Sequence, residues 1–197
     1  MQLIIRRELK KLGYNVYNLG TEIQSELFSF EEYYPMEIEK SVKFSQWEMI
    51  TYIKGKMRIM ECSKPDLIIT GSQSGIIPYS YGYNDNNYTL SSIAFLMATI
   101  PHAYILTVNP WDDLDYIRDS IQALQAIGKG KVILLAFSDN PRMPLNEKGI
   151  ITRKKLSKDE LEYYRTRLEK ATGIEATEII SAEGQKKIIN AILNYFS

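Results

Sequence analysis

The stretch Pro65 to Gly75, PDLIITGSQSG, restricts the fold more than any other part of the chain. Leu67, Ile68 and Ile69 form a short continuous apolar run after a Pro-Asp start, the pattern of a strand buried on both faces. Gly71 to Gly75 then supply backbone that can approach a ligand closely. In an open α/β sheet, ligands bind at such strand ends, so the stretch predicts an α/β fold with an anion or nucleotide site at this turn.

The rest of the chain alternates in the same way. Gln2 to Leu12 has helical spacing and Gly13 follows as a cap, while Val16, Tyr17 and Leu19 read as the next strand. An α/β chain ordinarily starts with a strand and loop before its first helix, so the sequence reads as lacking its own first β-turn unit. A less regular, aromatic-rich region from Gln24 to Phe44, with Phe28, Phe30, Tyr33, Tyr34, Pro35 and Phe44, reads as a packed excursion or a substrate-covering loop. Ser45 is placed to cap a helix reaching Cys62, with Trp47, Ile50, Ile53, Met57 and Met60 predicted on its core face. A tyrosine-rich loop follows, then a helix from Tyr88 to Thr99 stopped by Pro101. A buried strand from Ala103 to Val108, a helix from Leu114 to Ile127 and a strand from Val132 to Phe137 come next. Ser157 and Glu160 match a capping box for a helix to Ala171, and a strand from Ala176 to Ile180 and a helix from Glu183 to Phe196 complete the order. The expectation is a single domain over residues 1–197. It is a three-layer α/β fold with a mainly parallel sheet and helices on both faces.

Composition narrows the function classes. Twenty-four basic and twenty-four acidic residues balance to zero formal charge, which gives no electrostatic case for nucleic acid or an anionic membrane. The single cysteine, Cys62, excludes an internal disulfide, and with the single histidine, His102, it cannot build a Cys/His zinc site. Cys62 reads as a small buried residue. No apolar run is long enough to span a membrane, and MQLIIRRELKK is charged too early for a signal peptide, so a reducing, cytoplasmic setting is expected.

The strands end in small or polar turns: Gly20-Thr21-Glu22, Gly71 to Gly75, Asn109 to Asp113, and Ser138 to Asn140. A parallel sheet would align them on one rim, which makes Gly71, Ser72, Gln73, Ser74, Gly75 and Asn140 candidate phosphate or nucleotide contacts. Thr21, Glu22, Asn109 and Asp112, with Tyr79 and Tyr81 of the following loop, are candidate substrate contacts. No Walker A sequence or G-x-G-x-x-G follows a strand. Ser72 and Ser74 lack a base, because His102 sits at the start of a strand, on the opposite rim. Asp112, Asp113 and Asp115 read as helix-start caps ahead of a metal site.

With LGTE at Leu19 to Glu22, YPM at Tyr34 to Met36, GSQSG at Gly71 to Gly75 and PHAYILTVNPWDD from Pro101 to Asp113, the chain resembles a bacterial family of unknown function. The likeness is to the C-terminal P-loop domain of that family, which includes D-glutamate N-acetyltransferases and is related to dethiobiotin-synthetase-like P-loop NTPases. It covers about Gln2 to Ser138, and the remainder is generic.

The resemblance implies a P-loop-NTPase-like fold in which the first helix follows directly after a phosphate loop, so the chain looks like that domain without its first strand and loop. It implies Gly71 to Gly75 as the phosphate-facing turn, Thr21 and Glu22 as the substrate-facing or metal-facing turn, and Asn140 as a nucleobase contact. Its ligand would be ATP or GTP with Mg²⁺, although related NTPases carry an acidic Mg²⁺-holding residue where this chain has Thr70. The implied function is a nucleotide- or phosphate-binding domain of an ATP-dependent or acyl-transfer enzyme acting on a small carboxylate or amino acid. The alternative is a degenerate, non-catalytic subunit or scaffold. A homo-oligomer or a partner chain covering the N-terminal side is expected in either case.

Overall fold

Two serines start helices by the same device. In a computed structural model of the chain, which describes residues 1–21, 23–34, 45–72, 75–77, 90–141 and 152–197, the Ser45 hydroxyl accepts from Glu48 N at 3.3 Å while Ser45 N donates to the Glu48 carboxylate at 2.8 Å. Ser157 and Glu160 repeat the exchange at 3.2 and 2.9 Å. Both are capping boxes, as the sequence predicts, and each satisfies two backbone donors that a helix start would leave open. Gly13, at φ +92°, and Gly173, at φ +70°, follow their helices in the left-handed region that glycine tolerates.

The α/β class is as expected. Helices α1 (Gln2–Lys11), α2 (Gln46–Cys62), α3 (Leu90–Thr99), α4 (Leu114–Gly128), α5 (Lys158–Thr172) and α6 (Ala182–Phe196) alternate with strands β1 (Val16–Gly20), β2 (Glu32–Tyr33), β3 (Leu67–Thr70), β4 (Ala103–Thr107), β5 (Lys131–Phe137) and β6 (Ala176–Glu178). Every strand pair among the described residues is parallel. The chain packs as two compact units, Met1–Pro101 with Ala126–Lys129, and His102–Gln125 with Gly130–Ser197.

The first unit holds the sheet β2-β1-β3. Leu19 and Tyr17 turn to one face, where Met49, Ile53 and Met60 of α2 and Ala94, Phe95 and Ala98 of α3 form a buried cluster. Strand alternation sends Val16, Asn18 and Gly20 to the opposite face, and α1 packs on β1 and β3 through its buried residues Ile5 and Leu9. Layering is therefore helix, sheet, helix pair. The region predicted to be irregular contributes a strand, β2, whose Glu32 and Tyr33 pair with Leu19 and Gly20.

The second unit holds the sheet β4-β5-β6. Ile117 and Ile121 of α4 and Leu168 of α5 pack with Val132, Leu135 and Phe137 of β5. Val132 and Leu135 share a face despite their odd spacing because the β4–β5 register passes over Ile133: Tyr104 pairs with Val132 and Ile105 with Leu134. Leu134 and Ala136, fully buried, then point the other way, where α6 packs on β5 and β6 with Ile188, Ile189 and Ile192.

Several expectations are corrected. Trp47 is 75% exposed and not core, and Met49 takes its place. At about 100° per residue Trp47 lies roughly 120° around α2 from Ile53 and Met49 only about 40°. Cys62 is exposed, not buried, because the same count puts it about 180° from Ile53. The run Leu67–Thr70 is half-buried throughout, not enclosed on both faces, since β3 pairs only with β1 among the described residues. The enclosed strand is β1, with Val16, Asn18 and Leu19 fully buried. β4 is likewise half-buried, with Thr107 exposed. β6 stops at Glu178, short of Ile180, because the Glu178 carboxylate turns to accept from Ile180 N and Ser181 N and so opens α6.

Candidate functional site

In the first unit, the carboxyl ends of β1 and β3 lie together because Leu19 pairs with Thr70. Thr21 and the Gly71-Ser72 start of the glycine turn therefore leave the sheet at one edge, as the sequence predicts for these turns. Thr21 is buried. A side chain at position 71 would meet Gln2, with Cβ at 2.6 Å from its amide nitrogen, and that amide donates to Leu19 O at 3.2 Å. The glycine thus leaves room for α1 to bond the end of β1. The Ser72 hydroxyl lies 3.0 Å from that of Ser92, which is buried in the first turn of α3, so the turn is tied to that helix. Gly75 is exposed. Glu22, Gln73, Ser74, Tyr79 and Tyr81 lie outside the described residues.

In the second unit, Val108, Asn109, Ser138, Asn140, Pro141 and Arg153 line an open pocket of about 190 Å³. It sits just past the carboxyl ends of β4 and β5, where Val108 N donates to Ala136 O. Asn109 and Asp112 bind each other: Asn109 N donates to the Asp112 carboxylate at 2.8 Å and Asp112 N returns to Asn109 O at 2.9 Å. Trp111 N also donates to the Asn109 side-chain oxygen. Asp112, nearly buried, thus holds the turn that presents Asn109 and does not itself line the pocket. Asp113 accepts from Asp115 N at the start of α4, and Asp115 pairs with Arg118. Asp113 thus serves the helix start, as the sequence suggests for all three, whereas Asp112 holds the turn and Asp115 an ion pair.

The opposite wall comes from the end of β5. Ser138 Oγ accepts from Asn140 N at 3.1 Å, which folds the turn back and leaves the Ser138 O–H available. The segment 153–156 is laid against this turn by backbone bonds, Lys154 N to Pro141 O at 3.2 Å and Leu156 N to Asp139 O at 2.8 Å. Those bonds bring Arg153 into the wall. Behind the pocket Trp111 packs edge-on against Tyr164 at 5.2 Å, Lys154 stands 5.8 Å from the Trp111 ring, and Arg167 donates to Pro110 O. Burial raises the Tyr164 phenol above its usual pKa, with the Glu160 charge adding to it. The Lys154 ammonium, and then Ser157 N, hold the Glu160 carboxyl down at about 2.

His102 is at the amino end of β4, the far end of that strand from the pocket, with its carbonyl accepting from Lys131 N and the Tyr195 hydroxyl. Asn109 and Asn140 therefore meet at one pocket, as expected of strand-end residues. Sequence reading passed over Arg153, for which the sequence holds no periodic or motif signal; only the backbone ladder to residues 139–141 assigns it. Among the described residues no group of three His, Cys, Asp or Glu side chains could hold a metal ion, and no helix is long and apolar enough to cross a membrane.

No family model and no curated protein match the chain. Among solved structures, it is similar to a DUF1611 family protein from Anabaena variabilis, with 12% identity, a TM-score of 0.66, and coverage of 98% of this chain and 52% of that one. At that identity the likeness shows the fold. The chain spans about half the length of that protein. A nucleotide-binding protein in complex with ADP from Archaeoglobus fulgidus overlaps at 13% identity and a TM-score of 0.41, covering 95% of this chain and 78% of that one. That overlap is too low to bear on the fold.

Proposed function

We propose that residues 1–197 form one P-loop-NTPase-like domain that binds a nucleotide or a phosphate-bearing ligand. It would serve an ATP-dependent or acyl-transfer enzyme acting on a small carboxylate or amino acid. The observation that carries this reading is the pocket where Asn109, Ser138 and Asn140 converge past the carboxyl ends of parallel strands, the place where open α/β sheets receive ligands. The motif resemblance to the family containing D-glutamate N-acetyltransferases, together with the shared fold of the DUF1611 protein, supports the class. In this reading Asn140 contacts a nucleobase, and within the first unit Gly71 to Gly75 are a candidate phosphate-facing turn through backbone N–H groups. Candidate substrate contacts are Thr21, Glu22, Tyr79 and Tyr81 in the first unit and Asn109 in the second, where Asp112 holds the turn that presents it; ATP or GTP enters with Mg²⁺, and the setting is cytoplasmic.

Calorimetric titration with ATP, GTP and acetyl-CoA, with and without Mg²⁺, tests it. Saturable heat and a rise in melting temperature with at least one of them are expected, and silence from all three overturns the reading.

A second reading, a non-catalytic subunit in a larger assembly, is favoured by the exposed apolar stripe of α2 that carries Tyr52, 47% exposed, and, two turns on, Ile59, 59% exposed. Light scattering on the purified chain discriminates: a self-associated species supports a subunit role, and a monomer at all concentrations counts against self-assembly.

A further inference from the structure

We propose that the pocket at the carboxyl ends of β4 and β5 accepts an oxyanion, a carboxylate or phosphoryl group of the ligand, on the guanidinium of Arg153. The proposal rests on reading this pocket as a small-ligand site but does not need the ligand to be a nucleotide.

The charges around the pocket single out Arg153. Lys155 pairs with Asp139 and Lys154 with Glu160 at 2.6 Å, so these two lysines and two carboxylates neutralise one another. Asp112 is turned into its own loop, accepting from Asn109 N, and Arg167 donates to Pro110 O. The exposed side chain of Arg153 has no ion-pair or hydrogen-bond partner among the described residues, yet it lines the pocket together with the uncharged polar groups of Asn109, Ser138 and Asn140. Among the described residues no acidic side chain stands in that lining. The described lining therefore carries one positive charge among hydrogen-bonding groups, including the Ser138 hydroxyl, whose oxygen already accepts from Asn140 N.

Backbone bonds from Lys154 N and Leu156 N to the 139–141 turn fix the chain immediately after the arginine. The guanidinium thus hangs from a held backbone, which lowers the cost of ordering it on a ligand. A planar fork of N–H donors matches a carboxylate or phosphate edge in a bidentate way that an ammonium does not. Val108 and Pro141 give the pocket apolar walls for whatever carries the oxyanion.

The test uses the full chain with sodium phosphate and sodium acetate as separate probes, titrated by calorimetry and thermal shift at constant ionic strength. Wild type, Arg153→Gln and Arg153→Lys are compared, with circular dichroism confirming that each is folded. Saturable binding of at least one anion to wild type is expected, weakened roughly 10-fold or more by Arg153→Gln and less by Arg153→Lys, as a charge-assisted hydrogen bond requires. Preference for phosphate identifies a phosphoryl ligand, and preference for acetate a carboxylate. Equal binding by Arg153→Gln and wild type, or no saturable response of the folded wild type to either anion, overturns the proposal. If ATP, GTP and acetyl-CoA are all silent while an anion binds through Arg153, the nucleotide reading fails and this one stands. If a nucleotide binds equally well to Arg153→Gln, the reverse holds.

Discussion

The Arg6 guanidinium donates to the Glu31 carboxylate at 2.5 Å across 25 residues of sequence, and Glu31 uses its second oxygen to accept from the backbone N–H of Asn18 in β1 at 2.8 Å. One carboxylate thereby joins α1, the aromatic excursion and the enclosed strand of the first unit. Arg6 adds a bond to Phe28 O at 3.0 Å and lies 5.7 Å from the Phe30 ring. Both charged side chains are largely shielded, at 13% and 22% exposure. Glu31→Ala removes the acceptor from two groups at once and leaves a shielded positive charge behind. The expected loss is roughly 2–4 kcal/mol of unfolding free energy, read from urea denaturation. In a double-mutant cycle with Arg6→Met, the second substitution should recover part of that loss; strictly additive losses would contradict the pairing.

At the start of α5 the ion pair and capping box share Glu160, whose carboxyl is held at about 2 against an ordinary 4.5. The folded value is depressed, so the stabilisation is fully present above about pH 4.5 and is lost as pH falls from there toward 2. Wild type and Glu160→Gln should therefore differ in melting temperature at pH 6 by a gap that closes at the acid end of this window. A gap that stays constant with pH would remove Lys154 as the cause.

Two glycines mark close approaches that a methyl group cannot share. At Gly184 a Cβ would collide with the Glu178 carbonyl oxygen and stand 3.0 Å from its carbon. At Gly20 it would collide with Ser25 and stand 2.8 Å from the Phe30 ring. Each Gly→Ala substitution should cost about 1–3 kcal/mol, since backbone and packed side chains must move. Gly55 meets nothing within 4 Å and lies inside α2, so Gly55→Ala should instead stabilise by about 1 kcal/mol. Denaturant midpoints for the three variants check the contrast.

Ile100, a β-branched residue just past α3, is held at φ +42° with its side chain 57% exposed. The left-handed region costs an ordinary residue roughly 1–2 kcal/mol, and asparagine tolerates it better. Ile100→Asn should raise the melting temperature in differential scanning calorimetry, because little packing is lost at an exposed position. A lower value would show that the side chain contributes more packing than strain.

Asp112 gives a way to disturb the pocket without touching its lining. Asp112→Ala removes the acceptor for Asn109 N, and the turn that carries Asn109 should loosen, at a stability cost of about 1 kcal/mol for the unmet, half-buried donor. Whichever anion or nucleotide the protein binds should then bind more weakly, while Asp115→Ala, which affects an exposed ion pair, should leave affinity unchanged.

Element order apart from β2, strand direction and helix starts were legible in the sequence because they follow from short-range chemistry. Ser45 with Glu48, Ser157 with Glu160, and the glycines after α1 and α5 act within a few residues. The strand-end residues Asn109 and Asn140 were legible as well, since alternation of strand and helix puts their turns at one edge of a parallel sheet. The face of α2 was read too coarsely: apolar type alone placed Trp47 and Cys62 inward, whereas their angle around the helix turns both to the surface.

What the sequence determined by itself is the α/β class and the turns in which its strands end, because local patterning and capping are written in neighbouring residues. Tertiary structure alone decided that β1 and not β3 is the enclosed strand, that Glu31 reaches Arg6 and Asn18, and that Arg153 stands beside Asn140. Strand order, long-range ion pairs and the ladder from residues 154 and 156 to residues 139–141 depend on which segments meet in space, and no spacing along the chain encodes that.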